Sequence, residues 1–483
     1  MNDKNLFKQV SKMAFLIVLA IVACRLTRGY ICLAFGLAGV YYALTNKLGE
    51  SLCFYLLFPF LAVVNPMIIG FMPKFAMITR LSVFMMTSIL VLVALQRKGR
   101  HQLPLGGIFV FLTVALISSM GGWFPVISYL KLLNFIVFIV GIWIGTRNLQ
   151  RRPKDVFLLR TMFLAMIVVL VLGTIFTLPF PAVAYYISLK DFFVSQGVDV
   201  AISKLQEGQV MGLLTGMCNH SQTLAPMLSC ATAWLLCDML FLEKKVTKLH
   251  GGILFLMPIL LYMTRSRLAL FVLIVIGVEV YFFLLPRLRL PAKLRSHLNS
   301  AMIIGLILII IGAILSEIQN RTVSRWLRKS DDVALDDRTL GDAVIQSRMS
   351  LLDQSLHEFR RNPLLGSGFQ VEEAHPILYE MGLITLFSAP IEKGLLPTMV
   401  LGETGILGEI AFVLFLVAFW GGCKRKHLVV TFTLFVILLA TNMGEATFFS
   451  PGGAGGILWM LCVVGGFVID TMMRIQKGVN PMA

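Results

Sequence analysis

Residues 156–179 read VFLLRTMFLAMIVVLVLGTIFTLP, and one ionisable side chain, Arg160, interrupts an otherwise apolar run. A helix rises about 1.5 Å per residue, so a run of this length crosses the roughly 30 Å hydrocarbon layer of a bilayer. Within lipid the backbone must satisfy its own hydrogen bonds, which leaves helices or a closed barrel. Barrel strands show short alternating patterns, whereas this run is continuous, so a transmembrane helix is expected.

Similar runs recur along the chain, at 11–25, 29–45, 52–71, 76–95, 104–121, 126–145, 223–242, 250–264, 267–285, 299–317, 396–420, 428–443 and 453–473. The first two are short, and 250–285 can be divided in more than one way. The count is therefore about 12–14 spans. Composition agrees. Of 483 residues, 58% are hydrophobic and 14% charged, with a mean hydropathy of +0.85. Such a chain has too little polar surface for water. The expected fold is an all-α polytopic transmembrane bundle with one large loop. The division is 1–317 for the N-terminal helices, 318–395 for the loop, and 396–483 for the C-terminal helices.

The net charge of +17 does not point to nucleic acid, because the basic residues fall in short runs between apolar segments. Arg97, Lys98 and Arg100 form one such run, and Arg147, Arg151, Arg152 and Lys154 another. Lys244, Lys245 and Lys248, then Arg287, Arg289, Lys293 and Arg295, then Lys424, Arg425 and Lys426 continue the series. Under the positive-inside rule these share the cytoplasmic side with both termini. Lys4, Lys8 and Lys12 precede the first apolar run as in a signal peptide, but no small-residue cleavage site follows, so that run is expected to be the first span. The eight cysteines sit mostly in apolar runs without metal spacing and read as packing residues.

Two long segments then face the other side, 180–222 and 318–395. The second mixes acids and bases. Within it Met349, Leu351, Leu352, Leu356 and Phe359 have the spacing of an amphipathic helix on the membrane or the bundle.

Three segments on that side carry motifs. Thr264-Arg265-Ser266-Arg267-Leu268-Ala269-Leu270 opens a span. Ser347-Arg348 leads through a helix to Arg361-Asn362-Pro363-Leu364-Leu365-Gly366-Ser367-Gly368-Phe369. Leu401-Gly402-Glu403-Thr404-Gly405-Ile406-Leu407-Gly408 follows the loop. Together they resemble the O-antigen ligase and polymerase superfamily of bacterial membrane glycosyltransferases. Cys218-Asn219-His220-Ser221-Gln222-Thr223-Leu224 is a weaker match. Many members carry a His about ten residues before the Glu-x-Gly-x-x-Gly element. Here Ile391-Glu392-Lys393-Gly394-Leu395-Leu396-Pro397 has none, and Glu392 stands near that position.

The resemblance implies sugar transfer from an undecaprenyl-diphosphate-linked glycan donor to a glycan or lipid acceptor, in an inner membrane, with the active site periplasmic. The leaving diphosphate needs cationic partners, and the acceptor hydroxyl must lose a proton. Arginine pairs with phosphate in bidentate fashion. Arg265, Arg267 and Arg348 are the candidates, with His220 and Lys131 as further contacts to the lipid diphosphate. Snorkelling at the headgroups is the plainer role for Arg265. Glu392 is the candidate base, or else it pairs locally with Lys393. Glu403, at a helix start, and Arg361 are expected to position other groups, whereas Arg360 reads as solvated. His375 is a second possible base.

Ionisable residues within spans, Arg80, Lys131, Arg160 and Glu279, are functional candidates by their location alone. Glu445, Asn442 and Ser450 fall at the outer end of a late span. No metal or cofactor is implied, because arginines do the work of a divalent cation. The missing His tilts the reading to a polysaccharide polymerase over a ligase or a protein oligosaccharyltransferase. A lipid-linked-sugar transporter is the reading from another class, and a non-catalytic assembly component a third. Polar residues gathered in one outer loop favour chemistry at one face over transport, which needs paired halves and broken helices.

Overall fold

A computed structural model of the chain describes residues 3–69, 103–147, 149, 152–185, 213–243, 247–279, 281, 352–371, 394–444 and 446–477. Among these, six helices are long and apolar enough to cross a membrane: Asn5–Leu26, Pro125–Gly145, Pro153–Thr177, Ser221–Glu243, Leu396–Arg425 and Ala454–Gln476. Shorter apolar helices lie between them, and no strand occurs among the described residues, which hold one isolated bridge between Val64 and Cys218. The protein is an all-α polytopic bundle and an integral membrane protein.

In chain order we name α1 (Asp3–Leu26), α2 (Ile31–Leu44), α3 (Leu48–Ala62), α4 (Ile108–Met120), α5 (Pro125–Gly145) and α6 (Pro153–Thr177). They are followed by α7 (Ser221–Asp238), α8 (Lys248–Met263), α9 (Arg267–Glu279), α10 (Leu396–Arg425), α11 (Val429–Thr441) and α12 (Ala454–Gln476). The expected spans 76–95 and 299–317 lie outside the described residues. Within the ambiguous stretch 250–285 the described residues form α8 and α9, separated by a turn in which Arg265 takes a left-handed φ of 49°.

The exterior is apolar. Phe15, Leu19 and Val22 of α1 and Ile410, Leu414 and Val417 of α10 are all exposed, as expected where lipid is the solvent. Prolines within α3, α7 and α8 (Pro59, Pro226, Pro258) are tolerated because neighbouring helices cover the freed carbonyls. The core between α4, α5, α10, α11 and α12 is aromatic. Phe111, Phe135, Phe412, Phe448, Phe449 and Trp459 pack with centroids 4.8–6.3 Å apart, mostly tilted or edge to face.

The helix ends sort into two groups. At one end Leu396 N–H donates to the Asn442 carbonyl at 3.1 Å, Leu214 N–H to Met263 at 3.2 Å, and Asn219 N–H to Val63 at 2.8 Å. The 362–371 segment meets the bundle there, and we call it the loop end. At the opposite end Asp470 takes the Val430 and Thr431 amides at the start of α11 at 3.2 and 2.8 Å. Arg147, Arg152, Lys154, Lys424 and Arg425 also fall at that end, beside the termini of α5, α6 and α10.

One segment at the loop end is not helical. Residues 446–453 lie between α11 and α12, and Phe448, Phe449 and Ser450 within them are buried. Irregular backbone is sustained at such depth only inside protein. Trp459 Nε1 donates to the Phe448 carbonyl at 2.8 Å, and Ser450 N–H to the Thr447 carbonyl at 2.9 Å.

Candidate functional site

The Pro363–Gln370 segment reads as a tight loop because its glycines permit left-handed backbone. Gly366 has φ 69° and Gly368 φ 107°. The Gly402–Leu407 segment contains the complementary irregularity. Gly405 has φ 65° and ψ −169°, which breaks α10 into two pieces. The two segments fit into one another. A Cβ on Gly366 would lie 2.4 Å from the Glu403 carbonyl carbon, and one on Gly405 would lie 2.3 Å from that of Leu364. Only hydrogen fits at either place.

Breaking a helix orphans carbonyls before the break and amides after it. The loop takes up both sets. Ser367 N–H donates to the Gly402 carbonyl at 3.0 Å and Gly368 N–H to the Glu403 carbonyl at 2.9 Å. In return Ile406 N–H donates to Pro363 at 2.9 Å and Leu407 N–H to Leu364 at 3.4 Å. Side chains of α4 and α5 complete the joint. Ser118 donates to the carbonyls of Leu365 and of Glu403, the latter at 2.8 Å. Ser128 donates to Phe369 at 2.8 Å, and Trp123 N–H to Ser367 at 3.0 Å. Phe369 inserts among Phe111, Phe135 and Phe449 at 5.3–6.4 Å.

Charged residues surround this joint. Glu403 is 1% exposed and Lys131 3%. Gln370 N–H donates to Glu403 Oε2 at 2.9 Å, and Lys131 Nζ donates to the Gln370 carbonyl at 2.8 Å. Glu403 is thus not at a helix start as the sequence reading expects. α10 begins at Leu396 with no acid in its first turn. Glu403 lies near the end of the first piece of α10, two residues before the break at Gly405, and the Gln370 amide holds its carboxylate. Arg361 is exposed and stacks on Trp123, its guanidinium 4.4 Å from the ring centroid. Arg360 is exposed beside it.

Of the expected amphipathic helix the described residues show 352–361, while Met349 and Leu351 lie outside them. Ser355 and Glu358 are buried, while Leu352, Leu356 and Phe359 are half-buried. The edge that carries Ser355 and Glu358 is pressed on α10. Glu358 Oε2 accepts from Ser367 Oγ at 3.2 Å, and a Cβ on Gly402 would lie 2.9 Å from the Ser355 carbonyl oxygen.

The arginine-bearing turn lies across the same end. Ser266 Oγ accepts the Ala269 amide at 3.3 Å, capping α9 so that Arg265 and Arg267 flank the cap, both half-buried. Leu268 packs against Gly444, beyond the end of α11. His220 caps α7, its Nδ1 accepting the Gln222 amide at 3.0 Å. The loop end thus gathers Arg265, Arg267, His220, Lys131, Glu403 and Arg361. Lys131 and Glu403 meet at Gln370. Arg80, Arg348, His375, Glu392 and Glu445 lie outside the described residues.

Residues 252–413 match the O-antigen ligase family. No curated protein matches the chain. The match supports the O-antigen ligase and polymerase superfamily of membrane glycosyltransferases, whose substrates are lipid-linked glycan donors and their acceptors. It spans the arginine turn, the loop joint and the break in α10. His220, Lys131 and the serines of α4 and α5 lie outside it. Sequence reasoning missed Gln370, Ser118, Ser128 and Trp123. Their only signal was hydroxyls in apolar runs and a glutamine beside a glycine motif.

Two flagged residues lie elsewhere. Arg160 is at the opposite end. Its Nε and Nη2 bind the two oxygens of Asp238 at 2.8 Å each, and Nη2 also binds Glu243 at 2.5 Å. His250 Nε2 lies 2.9 Å from Asp238 Oδ2. Glu279 ends α9, away from the arginine turn.

Proposed function

We propose that the protein is a polysaccharide polymerase of the bacterial inner membrane. It transfers an undecaprenyl-diphosphate-linked oligosaccharide to the hydroxyl of another lipid-linked unit, making O-antigen, capsule or exopolysaccharide. Both termini are cytoplasmic and the loop end faces the periplasm, as the Lys and Arg bias supports. The observation that carries this reading is the joint between Pro363–Gln370 and Gly402–Leu407, inside the stretch that matches O-antigen ligases. That joint ties Pro363–Gln370 to α10 at the same end of the bundle as the arginine turn.

In this reading Arg265, Arg267 and Arg348 hold the diphosphate and stabilise its growing charge as the glycosidic bond breaks. Glu392 takes the acceptor proton. Glu403 and Arg361 hold the loop, and no divalent ion is required. The family match favours a second reading, ligation to lipid A-core, which differs only in the acceptor.

The test is reconstitution of the full chain in vesicles with a defined undecaprenyl-diphosphate oligosaccharide. A ladder of longer lipid-linked products, insensitive to EDTA, is expected. Transfer only to lipid A-core would establish the ligase. Lipid moved between leaflets without turnover would overturn glycosyl transfer in favour of transport. Arg267→Ala should lower turnover by about a hundredfold or more with the melting temperature unchanged. Near-normal turnover would remove Arg267 from the mechanism.

A further inference from the structure

Gln370 is the last but one residue before the chain leaves the described joint for 372–393, which carries Glu372, Glu373, His375 and Glu392. It is 4% exposed and has a left-handed φ of 55°, a conformation unfavourable for a residue with a side chain. Three bonds hold it there. Its N–H donates to Glu403 Oε2 at 2.9 Å, its carbonyl accepts from Lys131 Nζ at 2.8 Å, and its side-chain Nε2 donates to the Phe449 carbonyl. Glu403 comes from α10, Lys131 from α5 and Phe449 from the 446–453 segment.

A buried ammonium and a buried carboxylate therefore act on the two sides of one residue. Each charge is costly in an apolar surrounding. One donor of the Lys131 ammonium goes to the Gln370 carbonyl, on the opposite side of the residue from the Glu403 carboxylate.

We infer that Lys131 and Glu403 form a positioning pair, a clamp of opposite charges on the Gln370 backbone that sets the course of the chain into 372–393. Its functional half rests on the glycosyltransferase reading; its structural half does not. Removing one charge leaves the other buried without its counterpart. Removing both takes away the two opposite charges together, and glutamine at each position still offers a donor to the carbonyl and an acceptor to the amide.

The experiment uses the full chain with Lys131→Gln, Glu403→Gln and the two combined. Amide exchange is read over 363–371, and steady-state kinetics with an undecaprenyl-diphosphate oligosaccharide. Each single variant should raise exchange by about tenfold or more and lower kcat by about tenfold or more, with the donor KM within about threefold. The combined variant should return both readings to within about threefold of the parent chain. A Lys131→Gln variant that raises the donor KM and leaves exchange unaltered would overturn the clamp and make Lys131 a diphosphate ligand. A combined variant no better than the singles would overturn it too. Should a single variant fail to accumulate in membranes, recovery in the combined one supports the clamp and continued failure overturns it. If the parent chain turns over no glycan, the glycosyltransferase reading falls, and exchange alone judges the clamp.

Discussion

Each end of the bundle has its own buried polar assembly, and the two are made differently. At the loop end most bonds join backbone to backbone or hydroxyl to backbone, and glycines allow the close approach. At the opposite end the bonds run between charged side chains, Arg160, Asp238, Glu243 and His250, which are contributed by α6, α7 and α8. There α7 continues into a π turn, Met239–Glu243, which presents Asp238 and Glu243 on one side to a single guanidinium. The difference teaches what each assembly is for. Ion pairs fasten regular helices whose backbones are already satisfied. The loop joint satisfies an irregular backbone and fixes one course for the chain. Damage to the first should appear as lost global stability, and damage to the second as a misplaced loop on an intact bundle.

The largest expected effect is at the ionic end. Asp238→Ala leaves Arg160 with Glu243 alone and His250 without its carboxylate. Removing one member of a buried ion pair costs about 3–5 kcal/mol. Thermal unfolding in detergent should show a large drop, and replacing Arg160 and Asp238 together with leucine should recover much of it. A single variant as stable as the parent would show that the knot fastens nothing.

Next come the glycines of the joint. Gly366→Ala and Gly405→Ala each place a methyl group within 2.4 Å of backbone across the joint, at a φ that a side chain resists. The loop can leave the bundle more cheaply than the helices can part, so the loss should be local and of about 2–3 kcal/mol. Exchange over 363–371 should rise sharply and turnover should fall, while the melting temperature moves less than in Asp238→Ala. A melting temperature that falls as far would merge the two assemblies into one cooperative unit.

The bundle itself was legible in the sequence wherever lipid alone decides. The run 156–179 became Pro153–Thr177, and 126–145 became Pro125–Gly145, because apolar length is all a bilayer requires. The break at Gly405 was not legible. Its cause is a loop some forty residues upstream, and the residues around it still read as one helix. Ser118 and Ser128 looked like small residues in apolar spans, since their partners, the carbonyls of Leu365 and Phe369, lie 247 and 241 residues away. Arg160 was flagged by its charge alone. Its partner Asp238 went unnoticed because it ends a different span. The apolar spacing at 349–359 signals a helix, which the described residues show at 352–361, but it carries no sign that Ser355 and Glu358 are drawn to the polar break in α10.

The smallest expected effect gives the sharpest comparison. Ser128 Oγ donates to the Phe369 carbonyl and lies 2.7 Å from Ser119 Oγ. Ser128→Ala keeps the shape of α5 and removes one donor from the loop, at a cost of about 1 kcal/mol. Phe369 remains anchored among its aromatic neighbours, so the melting temperature should stay within error of the parent. Exchange at the amides of 369–371 should nonetheless rise by about fivefold. If exchange there is unchanged, the hydroxyls of α5 contribute nothing to holding the loop, and aromatic insertion with the backbone bonds to α10 is sufficient. If the whole joint loosens, Ser128 belongs with the Lys131–Glu403 pair, and the loop depends on α5 as much as on α10.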